Sequence, residues 1–191
     1  GVSAIDHENN THNTYGIYEG ILYDNSRPDI GFRLDDIGYE ETRYVNAHVD
    51  YKTRKQGGRY YELLFSLPGN KLKIYHDFGG NGTVDLSDGK VHARKILVKD
   101  AYGNTSPVKL YIQMDPATTP EEKSVCANRM YPGSKDIFEN NQVEFYLDEK
   151  ALYDEICFQY QEISAAGKPG YYSDIFHLHT ADVPLEDYFT L

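Results

Sequence analysis

The chain has 191 residues, with 19 Lys and Arg against 30 Asp and Glu for a net charge of −11, and 18 tyrosines but no tryptophan. With 40% apolar and 26% charged residues it has the make-up of a folding sequence, long enough for one ordinary domain or two small ones. The acidic balance argues against nucleic-acid binding, which needs a basic surface to neutralise phosphates, and no run approaches the ~18 consecutive apolar residues of a membrane span.

Gly1 opens the chain without a signal-peptide pattern, so a processed product or a piece of something longer is expected. Val2–Asp6 suggests a short strand, followed by a polar loop from Glu8 to Asn13. Residues 17–24 and 29–34 read as successive strands across a Ser-Arg-Pro turn. The period then changes: Tyr44, Val45, His48 and Val49 recur at helical spacing, Glu40 and Glu41 precede them, and Lys52, Arg54, Lys55 and Gly57-Gly58 close the segment. Acid before, base after and glycine beyond suit the helix dipole, so one short helix is expected over 42–56.

Strands resume at 60–66 and, after a Pro68-Gly69 turn, at 83–86. Residues 90–99 carry Val91, Ala93, Ile96 and Val98, whose parity slips near Lys95 and suggests a bulge. A turn at 100–104 and the alternation of Val108, Leu110 and Ile112 complete a β-hairpin. Residues 115–123, with two prolines and three acids, read as a linker between a unit at 1–114 and a smaller one at 124–191. The second unit, with strands expected at 143–147, 156–160 and 175–178, is thin: either it leans on the first or its remaining strands lie beyond Leu191. Cys126 and Cys157 could pair in an oxidising compartment or stay as two buried thiols. Many short strands and one helix give an all-β chain of two β-sandwich units.

The segments Ser87–His92 and Val98–Ser106 resemble the closing hairpin of bacterial immunoglobulin-like and fibronectin-like sandwiches. The longer strings Glu41–Tyr51, Leu67–Leu72 and Tyr171–Asp174 resemble the region that follows the catalytic domain in lysostaphin-type zinc peptidases (metallopeptidase family twenty-three) of gut Gram-negative bacteria. The resemblance implies two immunoglobulin-like units in the cell envelope, serving a catalytic domain upstream. That family's zinc site pairs H-x-x-x-D with a later H-x-H. None of the seven histidines here has Asp four residues on, and only His177-Leu178-His179 matches the second half. The chain is therefore expected to be a non-catalytic accessory region; the alternative is an adhesion or glycan-binding module attached to no enzyme.

Several local patterns bear on binding. His177 and His179 would share one face of a strand and could grip zinc, but a third ligand is not evident. Asp77, Asn81, Asp85 and Asp88 stand at positions 1, 5, 9 and 12 of a partial calcium loop that lacks the acid at 3 and the glutamate at 12. Asp6–Asn10 could hold a cation, although such runs are usually solvated loops. Asp35-Asp36 and Glu40-Glu41 read as acids preceding a helix rather than a glycosidase pair. Cys157, between Ile156 and Phe158, is expected to be buried and inert, and no G-x-S-x-G elbow or P-loop occurs. Tyr60-Tyr61 and Tyr171-Tyr172 could stack on sugars. The helical stripe of Tyr44, Val45 and His48, with Tyr51 and Tyr60 nearby, is the expected interaction surface: it either plugs its own sandwich or docks a partner domain. No cofactor is expected beyond that calcium candidate.

Overall fold

The computed structural model describes residues 1–7, 12–117 and 125–191. Most of the expected linker and the Glu8-Asn9-Asn10 part of the candidate cation loop lie outside the described residues. Two short ladder strands, β1 (Asp6–His7) and β2 (Thr14–Tyr15), lead into the main hairpin. That hairpin is formed by β3 (Glu19–Asp24) and β4 (Arg27–Arg33). It turns at Asn25-Ser26, earlier than the Ser-Arg-Pro turn expected, because Asn25 takes a left-handed backbone, φ 53°, that asparagine tolerates. With β5 (Tyr75–Asp77), β6 (His92–Lys99) and β7 (Thr105–Ile112) these strands make a five-stranded antiparallel sheet in the order β5-β4-β3-β6-β7.

The β6–β7 hairpin runs in unbroken register from His92↔Ile112 to Lys99↔Thr105, so the bulge expected at Lys95 is absent. Parity does not slip, since Arg94, with Ile96 and Val98, holds a buried position on the inner face and pairs with Asp24. The register shift falls instead between Leu22 and Tyr23, opposite β4. Gly20 is required on the inner face: a Cβ there would come within 2.8 Å of the Phe32 ring and 3.4 Å of Leu64. Phe32 is 0% exposed, at the heart of a core shared with Leu22, Ile30, Ile96 and Val98.

The single helix expected over 42–56 is two elements. Tyr39–Ala47 is a 3₁₀ run, and α1 (Tyr51–Lys55) is a separate turn of α-helix. They are divided because Val49 leaves the helical path to bridge Glu62, after which Asp50 caps α1 by accepting from the Thr53 N–H at 3.0 Å. The strand expected at 60–66 reduces to Glu62, whose backbone bridges both Val2 and Val49. The segment 83–86 lies between side-chain turns made by Asn81 and Asp85, which hold its backbone away from any ladder. The inner face is thus packed by irregular backbone carrying Tyr44, Ala47, Val49, Leu63, Leu64, Leu72 and Ile74, all buried.

The chain divides into two compact units, Gly1–Glu122 and Lys123–Leu191. The second contains β8 (Arg129–Met130), β9 (Asp136–Glu139), β10 (Glu144–Leu147), β11 (Ile156–Cys157), β12 (Tyr160–Ile163), β13 (Ile175–Leu178) and β14 (Phe189–Thr190). They pair as β14-β10-β9, β11-β8 and β12-β13, all antiparallel. Phe145, Phe158, Leu147, Met130 and Leu152 form its core, with Phe145 stacked on Phe158 at 4.9 Å. Cys126 and Cys157 form a disulfide, closing the alternative the sequence left open, and Cys157 is exposed rather than buried because its strand is only two residues long and turns that side chain outward to its partner. The chain is all-β, and none of its described helices is long and apolar enough to cross a membrane.

Candidate interaction surface

Alternation along a strand sends every second residue to one face, so the outer face of the five-stranded sheet is set by the inner one. It carries Glu19, Ile21 and Tyr23 from β3, Gly31 and Arg33 from β4, His76 from β5, Lys95, Leu97 and Lys99 from β6, and Lys109 and Tyr111 from β7. Gly31 has no side chain to offer, and the sheet is hollow there: a depression of about 170 Å³, open to solvent, is lined by Glu19, Ile21, Arg33, His76 and Phe78. Phe78, 47% exposed, lines it with a half-exposed aromatic ring.

Charge on this face is locally balanced. Lys99 donates to the buried Glu19 carboxylate, and Lys95 lies over the Tyr23 ring at 3.9 Å. Arg33 donates to Asp35 at 2.5 Å, and the Tyr18 hydroxyl donates to the same carboxylate. These two donors hold the Asp35 carboxyl below the usual carboxylate range, and the same bond pushes the Tyr18 phenol up.

The stripe expected to form one interaction surface is distributed otherwise. Tyr44 is buried, with the Arg43 guanidinium 4.9 Å from its ring centre. His48 is buried too: its Nδ1 lies 2.9 Å from the Tyr75 hydroxyl, and its ring meets Phe32 edge-on at 4.6 Å. Burial pushes the Tyr75 phenol far above its ordinary value. Glu62, also buried, approaches His48 Nε2 at 3.8 Å. Val45 and Tyr51 are half-buried and Tyr60 is exposed. What Tyr44 and His48 touch is therefore their own unit, because the segment turned its apolar side chains under the sheet to complete the core.

The metal candidates do not converge. His177 stands in β13, but the strand ends at Leu178 and His179 turns to φ 61°, so the two imidazoles do not share a strand face as the H-x-H spacing suggested. The His179 ring instead stacks 6.0 Å from Phe158. In the partial calcium loop each side chain serves its own backbone: Asp77 accepts from the Gly79 N–H, Asn81 from Thr83 and Asp85 from Ser87. Asp88 accepts from the Lys90 N–H and pairs with His92 at 2.9 Å, which lowers its carboxyl below the usual range. Four separate turns take the place of one coordination sphere. Among the described residues no group of three or more His, Cys, Asp or Glu is gathered to hold a metal.

The outer-face hollow was missed in the sequence. Its signal was the glycine inside the alternating strand Ile30-Gly31-Phe32, which marks a close backbone approach or an open site. Residues 127–191, within the second unit, match the family model of the Zu5-like domain. No curated protein and no solved structure matches the chain.

Proposed function

We propose that this chain is a non-catalytic accessory region of a cell-envelope zinc metallopeptidase, two immunoglobulin-like β-sandwich units in tandem that space and orient a catalytic domain elsewhere in the same polypeptide. The observation that carries the reading is the outer sheet face: a hollow of only about 170 Å³, edged by Phe78 and His76 and by paired charges, is smaller than the roughly 300 Å³ at which small-molecule pockets begin and suits touching a partner rather than enclosing a substrate. The reading is supported by the β6–β7 hairpin and its Asp100–Asn104 turn, the segment whose sequence carries the resemblance to a sandwich's closing hairpin. The disulfide favours an oxidising compartment, as an envelope location requires. His177 and His179 supply no zinc chemistry in this reading, since their placement offers no shared site.

The experiment compares the parent polypeptide with a version lacking this region. Hydrolysis of intact peptidoglycan sacculi should fall while turnover of a soluble cross-bridge peptide is kept. Equal loss on both substrates, or a parent reading frame without a zinc peptidase domain, overturns the proposal. A second reading, direct glycan binding, is favoured by Phe78 standing exposed beside the Gly31 hollow, where a sugar's apolar face could stack. It requires that the isolated chain co-sediment with sacculi and that Phe78→Ala abolish the binding.

A further inference from the structure

The β6–β7 hairpin ends the five-stranded sheet on an eight-residue strand that has no neighbour on its far side among the described residues. Register decides which backbone groups that edge presents. Asp100 N–H donates to the Asn104 carbonyl, so the hydrogen-bonded pairs of the hairpin continue as Val98↔Ser106, Ile96↔Val108, Arg94↔Leu110 and His92↔Ile112. The Ala93 and Lys99 carbonyls accept from Asn25 and Tyr18, on the β3 side, which fixes the same alternation from the other direction. Hence the N–H and C=O groups of Thr105, Lys109 and Tyr111, with the lone carbonyl of Pro107, point out of the sheet edge.

The side chains are as open as the backbone. Val108 and Leu110 lie on the inner face, opposite the buried Ile96 and Arg94, yet are 42% and 38% exposed; Tyr111 on the outer face is 72% exposed. An edge of this length with an apolar row is a template for another strand.

We infer that β7 pairs antiparallel with β7 of a second copy of this chain, with Leu110 facing Leu110 on the two-fold axis, joining two sheets into one of ten strands. Only odd-numbered residues offer outward hydrogen bonds, so a two-fold pairing can be centred on Val108, Lys109, Leu110 or Tyr111. Centring on Val108 sets Lys109 twice against Pro107, which has no N–H to return, and faces Leu110 with Ser106. Centring on Lys109 sets the two ammonium groups directly opposite each other, which is repulsive. Centring on Tyr111 leaves Lys109 facing Gln113 and Pro107 facing Asp115, off the end of the strand. Centring on Leu110 sets Lys109 against Tyr111 twice, each pair exchanging both backbone hydrogen bonds and placing an ammonium beside a phenol ring. On the inner face it sets Val108 against Ile112 twice around the Leu110 pair, covering the row left open in one copy. Nearby cations do not oppose this, because Arg94 is paired with Asp24 and Lys99 with Glu19. The pairing does not depend on the accessory reading above, since it uses an edge rather than the outer-face hollow.

The test combines solution mass with cysteine cross-linking on the full chain. At high micromolar concentration the chain should run at twice its monomer mass by light scattering. Tyr111→Pro removes an N–H that points away from β6, so the hairpin should keep its circular dichroism and melting temperature while dimer dissociation rises by about tenfold or more. Under mild oxidation Leu110→Cys should cross-link two chains through the axis, whereas Lys109→Cys and Tyr111→Cys, each facing a different residue, should not. A monomer throughout the concentration range overturns the inference. So does a dimer that Tyr111→Pro leaves intact while folded, or one cross-linked by Lys109→Cys or Tyr111→Cys in place of Leu110→Cys. If Tyr111→Pro does not fold, the cross-linking pattern decides alone.

Discussion

At Gly31 the central strands leave no room for a methyl group: a Cβ would lie 2.8 Å from the Gly20 carbonyl oxygen and 3.1 Å from Ile21 Cγ1. The obstacle is backbone, which cannot step aside as the end of a side chain can. Gly31→Ala should therefore cost about 1–3 kcal/mol by overpacking, measured as a lower urea midpoint at unchanged slope for the first unit. Beneath the sheet, His48 shows how a polar residue on an apolar stripe becomes core. Its ring packs on Phe32 and Tyr75, and the Tyr75 hydroxyl partners Nδ1, so burial leaves that nitrogen satisfied. Of the stripe Tyr44, Val45, His48 and Val49 that the helical spacing picked out, Val45 is half-buried and the other three are buried, but spacing carries no information about which backbone presents them.

At the scale of elements, the second unit has short strands and small sheets, and its cross-link matters accordingly. Cys126 and Cys157 close a loop of sequence separation 31 that ties the segment before β8 to β11, beside the backbone bond from Phe158 N–H to the Asn128 carbonyl. By chain entropy a loop of this length is worth about 3–4 kcal/mol. Replacing both cysteines by serine should lower the melting transition of the second unit and leave that of the first in place, which calorimetry can resolve. A coupled fall of both transitions would show that the units do not melt independently. The strands themselves divided by kind. The β6–β7 hairpin was legible because alternation and turn chemistry agree over both strands. The segments 60–66 and 83–86 were not, because β-rich composition does not say whether a neighbouring strand will be there to bond.

For the whole molecule, the sign of charge gives a direction in pH. Asp35, Asp85, Asp88 and Asp100, all in the first unit, are held below the usual carboxylate range: Asp35 by Tyr18 and Arg33, Asp85 by Ser87, Asp88 by His92 and Asp100 by Asn104. A carboxyl whose folded pKa is lowered contributes stability that is present above its unfolded value, about 3.9, and is lost as pH falls through the folded value. The first unit should therefore melt at progressively lower temperature as pH is taken from about 5 towards 2, a decline steeper than for the variant Asp35→Asn, in which one of the four contributions is gone.

What the sequence determined by itself is the class: tyrosine- and valine-rich alternation with closely spaced turns dictates β structure, and a net charge of −11 sets the kind of surface. Those are properties of composition and of periods two residues long, which survive without knowledge of neighbours. The tertiary structure decided what depends on meeting partners distant in the chain. Val49 meets Glu62 and so breaks one helix into two elements. Cys126 meets Cys157 and turns two thiols into a staple. His177 and His179, two apart in sequence, do not share a strand face because the strand ends at Leu178 and His179 itself takes a left-handed backbone. Gly31 became a hollow and β7 an open edge for the same reason: whether a face or an edge is covered is settled by the strands that come to lie beside it.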